Sequence, residues 1–83
     1  MKKYNITFKP RALKDGKKNP REQLIRIFEA IENLSEGLKG DVKRLTNYSP
    51  EYRLRVGDYR VLFEIEDEKI IIYRIRHRKE AYK

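Results

Sequence analysis

From Tyr52 to Arg76 the chain runs through three stretches that alternate apolar with mostly charged residues, separated by two turn signals. Tyr52, Leu54 and Val56 alternate with Arg53 and Arg55, and Tyr59, Val61, Phe63 and Ile65 alternate with Arg60, Leu62 and Glu64. The third stretch runs from Ile70 to Arg76. A period of two is the mark of a strand with one buried face. Gly57-Asp58 suits a two-residue hairpin turn, and Asp67-Glu68-Lys69 supplies the second turn. The three stretches therefore predict an antiparallel meander, and Tyr4-Asn5-Ile6-Thr7-Phe8 predicts a further strand at the start of the chain.

Two helices are expected between them. Pro10 opens the first, which carries only Ala12 and Leu13 as an apolar face and ends at Gly16. The second starts with Asn19 as cap, Pro20 at the first helical position and Glu22 completing a capping box. Leu24, Ile27, Phe28, Ile31 and Leu34 follow at three- and four-residue spacing, an apolar stripe for the core. Gly37 stops the helix near Glu36. Residues 37–50, with Gly37, Gly40, Asn47, Ser49 and Pro50, read as irregular, with Leu45 anchored in the core and Lys43 and Arg44 making the segment basic. The expectation is one α+β domain over residues 1–83: an N-terminal strand, two helices and a three-stranded antiparallel meander, with the helices on one face of a mostly antiparallel sheet.

Side-chain parity sets the register. A Gly57-Asp58 turn pairs Val56 with Tyr59 and places Arg55 opposite Arg60. A three-residue turn over Asp67 to Lys69 puts Ile71, Tyr73 and Ile75 on the core side, whereas a two-residue turn drives Arg74 and Arg76 into it. The three-residue turn places Arg60 opposite Arg76, and Leu62 between Arg53 and Arg74. Tyr52, Tyr59 and Tyr73 then point to the core. Arg55, Arg60 and Arg76 form a rung on the open face, with Glu64 the acidic residue near it. Like charges opposed across strands are destabilising, so the rung reads as a polyanion site. Guanidinium groups suit such a site because they bind phosphate bidentately and stack on bases.

The charge of the whole chain agrees. Twenty-one Lys and Arg against 13 Asp and Glu give a formal net charge of +8, a balance that favours nucleic acid or another polyanion. Cysteine is absent and His77 is the single histidine, so disulfides, thiolate sites and ordinary zinc sites are excluded. No cofactor is called for. No apolar run approaches a signal peptide or a membrane span, which predicts a cytoplasmic protein with no membrane partner.

The stretch Tyr52-Arg53-Leu54-Arg55-Val56-Gly57-Asp58-Tyr59-Arg60-Val61-Leu62-Phe63, followed by Ile75-Arg76-His77-Arg78 and Tyr82, resembles the RelE/ParE toxin superfamily of type II toxin–antitoxin modules. The resemblance covers nearly the whole chain, most specifically Leu45 to Tyr82. It implies a RelE-like fold, an acidic RelB-like antitoxin as partner, and one of two targets. RelE-like toxins enter the ribosomal A site and cut mRNA by attack of a 2′-OH on the adjacent phosphate without metal; ParE-like toxins poison DNA gyrase. A non-catalytic RNA-binding module is the third reading. Carried over by position, the resemblance implies RNA-binding roles for Arg53 and Arg55 and catalytic roles for Arg60, Arg78 and Tyr82. His77 joins Tyr82 as a proton-transfer candidate, and Arg74, Arg76, Lys43 and Arg44 extend the basic surface. RelE itself carries lysines where this chain has Arg53 and Arg55, and a guanidinium that stays protonated is a poor general base.

Overall fold

The computed structural model describes residues 3–80. The elements are β1 (Asn5–Phe8), α1 (Pro10–Lys17), α2 (Arg21–Ser35), β2 (Asp41–Arg44), β3 (Tyr52–Val56), β4 (Tyr59–Glu66) and β5 (Lys69–His77). The strands form one sheet in the order β1-β5-β4-β3-β2, in which β1 runs parallel to β5 and the other pairs are antiparallel. Ala12, Ile27, Ile31 and Leu34 of the helices close over Leu54, Val61, Phe63, Ile70, Ile72 and Ile75 to make one core. Among the described residues, no helix is long and apolar enough to cross a membrane.

The β3–β4 hairpin has the expected register, with Val56 opposite Tyr59 and Arg55 opposite Arg60 across Gly57-Asp58. The β4–β5 hairpin reaches the expected pairs by another route. Its turn has two residues, Asp67 and Glu68, with Glu66 opposite Lys69. That register puts Ile70 and Ile72, not Ile71 and Tyr73, against Ile65 and Phe63, and both are fully buried. A bulge between Leu62 and Phe63 then admits Tyr73 as an extra residue. One added residue reverses the parity of every later position in the strand. Arg74 therefore falls opposite Leu62, Ile75 opposite Val61 and Arg76 opposite Arg60. Tyr73 leaves the core, and its ring centroid lies 5.4 Å from Lys9 Nζ.

The segment expected to be irregular contains β2, an edge strand with Asp41, Val42, Lys43 and Arg44 opposite Arg55, Leu54, Arg53 and Tyr52. Four residues with one apolar side chain are too short a pattern to read as a strand; the pairing with β3 makes it one. Leu45 continues this strand by donating its N–H to Glu51 O. Its side chain lies with Lys43, Arg53 and Arg55 on the second face, not in the core. Gly40 enters β2 at φ +125°, where an added Cβ would stand 2.7 Å from Leu54 Cδ1.

Helix α2 begins one residue later than expected. Pro20 takes the capping position and no side chain caps it; Asn19 instead donates its Nδ2 to Asp15 O and satisfies the end of α1. The stripe on α2 is only partly covered. Ile27, Ile31 and Leu34 are buried, while Phe28 stays 44% exposed, edge-on to Phe8 at 6.0 Å. Phe28, Leu24, Phe8, Leu13 and Ala12 line an apolar groove of about 320 Å³. Ile25 on α2 and Leu13 on α1 are half exposed as well.

β1 pairs with β5 only as far as Ile72, so the upper edge of β5 needs another partner. Asp15 of α1 supplies it. Its carboxylate accepts the Ile75 N–H at 3.0 Å and takes Arg74 bidentately, with Nε at 2.7 Å and the terminal nitrogen at 3.0 Å. Burial alone would raise the Asp15 pKa and is the largest single influence. The Arg74 and Ile75 hydrogen bonds, with the charges of Arg74 and Arg76, outweigh it and hold the carboxyl below its ordinary value. Arg74 is correspondingly pushed up by its hydrogen bond to Asp15.

Asp15→Ala leaves the Ile75 N–H without its partner and a partly covered Arg74 without a counter-charge. It should destabilise the fold by about 2–4 kcal/mol near neutral pH. A carboxylate with a depressed folded-state pKa contributes stability above its unfolded pKa and loses it as pH falls through the folded value. Denaturant melts repeated down to about pH 2 should therefore show the two proteins converging. Gly40→Ala meets both the positive φ and the Leu54 methyl, and should cost about 1–3 kcal/mol in the same melts.

Candidate nucleic-acid interface

The face of the sheet away from the helices is ordered by the pairings into rungs. Asp41, Arg55, Arg60 and Arg76 stand across β2, β3, β4 and β5, and Lys43, Arg53, Leu62 and Arg74 form the next rung. Leu62 is 2% exposed yet lies outside the core cluster, so this second face has a small apolar floor of its own. Lys43, Leu45, Thr46, Tyr48, Arg53, Arg55 and Arg60 line an open cleft of about 460 Å³. The segment after β2 forms one wall and the arginine strands form the other.

Each expected site residue among those described has a definite place. Arg55 and Arg60, side by side in the rung, have no carboxylate partner among the described residues. Arg60 folds back so that one terminal nitrogen donates to Gly57 O and Tyr59 O, both at 3.0 Å, fixing its head near the hairpin turn. Arg53 is held by Asp41, at 3.4 Å from the carboxylate and 3.1 Å from the backbone oxygen. Asp41 is thus a second acidic residue beside the cluster, concealed by the missed strand. Arg76 reaches Glu80 at 3.8 Å, and Arg44 pairs with Glu51 outside the cleft at 3.2 Å.

Arg78 donates its backbone N–H to Asp58 O at 2.7 Å, and its Nε stands 3.9 Å from Asp58 Oδ1. It is thereby tied to the turn that also receives Arg60. Arg74 departs furthest from expectation: it stands opposite Leu62 as derived, but its guanidinium is drawn to Asp15 at the sheet edge. His77 stacks edge-on against Tyr59 at 5.6 Å, and its Nδ1 accepts the Lys79 N–H at 3.3 Å. His77 lines the groove at the edge of β5 with Arg74 and Arg76 and not the cleft. Tyr82 lies outside the described residues.

In the sequence Leu45 reads as a core residue and Thr46 and Tyr48 are given no role, yet all three line the cleft. Each follows or faces a strand that four residues of weak alternation did not reveal. The one available signal was Tyr48 itself, a large aromatic placed among Asn47, Ser49 and Pro50. Chemically, the cleft offers positive charge at Arg55 and Arg60 that no ion pair among the described residues engages. Such an array suits a phosphodiester backbone and the extra negative charge of a phosphoryl transition state.

The chain matches known proteins along nearly its full length. The family model for the ParE toxin of type II toxin–antitoxin systems, parDE, covers residues 6–82. From Methanocaldococcus jannaschii, RelE1 is 38% identical, spanning 98% of this chain and 97% of its own, and the toxin RelE3 is 35% identical over 93% of each. The solved RelB–RelE antitoxin–toxin complex from Methanococcus jannaschii superposes with a TM-score of 0.76 at 35% identity, covering 92% of this chain and 94% of that one. The fold, the basic second face and these matches agree: the chain belongs to the RelE/ParE superfamily of type II toxin–antitoxin toxins.

Proposed function

We propose that this toxin is a ribosome-dependent mRNA endonuclease, held in check in the cytoplasm by an acidic RelB-like antitoxin. The observation that carries this reading is the pair Arg55 and Arg60, opposed across two strands, free of carboxylate partners among the described residues, and opening on the cleft. A like-charge pair costs about 0.2–1 kcal/mol in a sheet. Bound RNA converts that cost into binding and transition-state stabilisation. Leu13, Ile25 and Phe28, exposed on the helices, offer the antitoxin an apolar surface away from the cleft.

In the reaction the 2′-oxygen attacks the adjacent phosphorus, the P–O5′ bond breaks, the 2′-OH proton leaves and the 5′-oxygen gains one. Arg60, pinned by Gly57 O and Tyr59 O, and Arg78, tied to Asp58, are the groups suited to the charge that gathers on the phosphoryl oxygens. Arg53, Arg55 and Lys43 hold the strand on either side of the reacting phosphate. The proton steps fall to Tyr82 or to groups of the ribosome, because His77 is turned toward Tyr59 and engaged at Nδ1. An enzyme with so spare an acid–base set depends on the ribosome to position its substrate.

Cleavage of mRNA in a reconstituted translation system, with gyrase supercoiling measured alongside, tests the reading. Cleavage without loss of supercoiling is expected; lost supercoiling with intact mRNA would identify a gyrase poison. Expression of the chain alone should arrest growth, and co-expression of its antitoxin should restore it. Arg60→Leu should lower cleavage by about 10²-fold or more. Its effect on stability should stay within about 1 kcal/mol, since one exposed and one part-buried hydrogen bond are lost while two like-charge contacts are relieved. A denaturant melt beside the cleavage assay reads both.

A further inference from the structure

The basic surface does not end at the arginine rungs. Arg76, opposite Arg60 on the sheet, also lines a groove of about 130 Å³ at the edge of β5, together with Asp15, Lys18, Asn19, Arg74 and Glu80. A second groove, about 350 Å³, continues from it and is lined by Arg11, Lys14, Asp15, Lys18 and Arg74. Residues 11, 14 and 18 recur at helical spacing, so they form one stripe along α1 and its C-terminal cap. All three are exposed. The stripe and the cleft are joined at the edge of the sheet through Arg76.

Charge along this path is compensated at the junction, where Asp15 pairs with Arg74 and Glu80 with Arg76, but not along the α1 stripe. Asp15 is the one acidic residue of α1, and its carboxylate is consumed by Arg74 and the Ile75 N–H. Glu80 pairs with Arg76 and also acts on the Arg74 charge. Arg11, Lys14 and Lys18 have no ion pair among the described residues. The apolar residue of α1 that remains exposed, Leu13, belongs to the other side of the helix and to the apolar groove. A protein partner needs an apolar, well-packed centre to its interface. An open stripe of three unpaired cations, which meets an RNA cleft at the edge of the sheet, instead fits a phosphodiester backbone, which is bound without regard to sequence.

We propose that Arg11, Lys14 and Lys18 form a second RNA-backbone surface, which extends the footprint from the cleft around the edge of β5 onto α1. It rests on RNA being the partner of the cleft, and it assigns the stripe a role in holding RNA, with none in cleavage. Asp15 contributes by keeping Arg74 at the junction between the two surfaces.

The test is the salt dependence of binding to a 2′-O-methylated RNA oligonucleotide long enough to span both surfaces; it lacks the attacking hydroxyl. Wild type, the triple variant Arg11→Gln/Lys14→Gln/Lys18→Gln and the cleft variant Arg60→Leu are compared. Each phosphate contact contributes about 0.7 to the slope of log affinity against log salt for a single strand. The triple variant should therefore lose about two units of slope, and Lys18→Gln alone about 0.7. Glutamine is a good helix former and the three side chains are exposed, so melts should match wild type. In the translation system the triple variant should need more protein for the same cleavage while its rate at saturation is unchanged. An unchanged slope in the triple variant, with Arg60→Leu weakened, would overturn the second surface and leave the cleft standing. No RNA binding by wild type would remove both. Unchanged RNA binding with lost binding of a poly-glutamate probe would assign the stripe to an acidic protein and refute the proposal.

Discussion

The pairing of β4 with β5 changes phase once, at Tyr73, and both faces of the sheet depend on that change. Below the bulge Ile70 and Ile72 fill the core; above it Ile75 does so, and Arg74 and Arg76 turn outward. Without the extra residue, a two-residue turn would carry two guanidinium groups into an apolar interior. Burying an ion without a partner costs far more than a bulge. The bulge therefore reconciles a tight turn with an arginine face, and it moves Tyr73 from the core to Lys9.

The edge of β5 shows how closely structure and charge are coupled. β1 stops at Ile72, leaving the Ile75 N–H to be met by something other than a strand. Asp15 meets it with a carboxylate, and so acquires the charge that Arg74 neutralises. One of the arginines that alternation places on the functional face thus serves mainly to close the sheet against α1. The neighbouring Arg55 and Arg60 have no such structural carboxylate among the described residues, which separates cations held by the scaffold from cations open to a ligand.

The two faces of the molecule therefore suit different partners. On the helical side, Phe8, Leu13, Leu24 and Phe28 leave apolar surface uncovered, the kind of patch that marks an interaction site. On the sheet side, guanidinium groups stand around a small floor at Leu62 and a cleft walled by the segment after β2. The apolar groove and the cationic cleft thus lie on surfaces separated by the sheet itself.

Alternation and the Gly57-Asp58 turn determined the meander, the core side of β3 and β4, and the opposition of Arg55 and Arg60, because a period of two admits one assignment of faces in those strands. The apolar stripe of α2 and the stop at Gly37 were equally legible. What the tertiary structure decided were features that depend on neighbours distant in sequence. β2 is a strand because β3 pairs with it, and that pairing brings Asp41 to Arg53 and carries Leu45 and Tyr48 to the cleft. The two-residue turn with a bulge and a three-residue turn without one predict the same pairs above Tyr73; packing of Ile70 and Ile72 selects between them. Arg74 looks like its neighbours in the sequence and differs from them only because α1 brings Asp15 within 2.7 Å. Local pattern specifies which face a side chain occupies, and only the assembled fold specifies what it meets there.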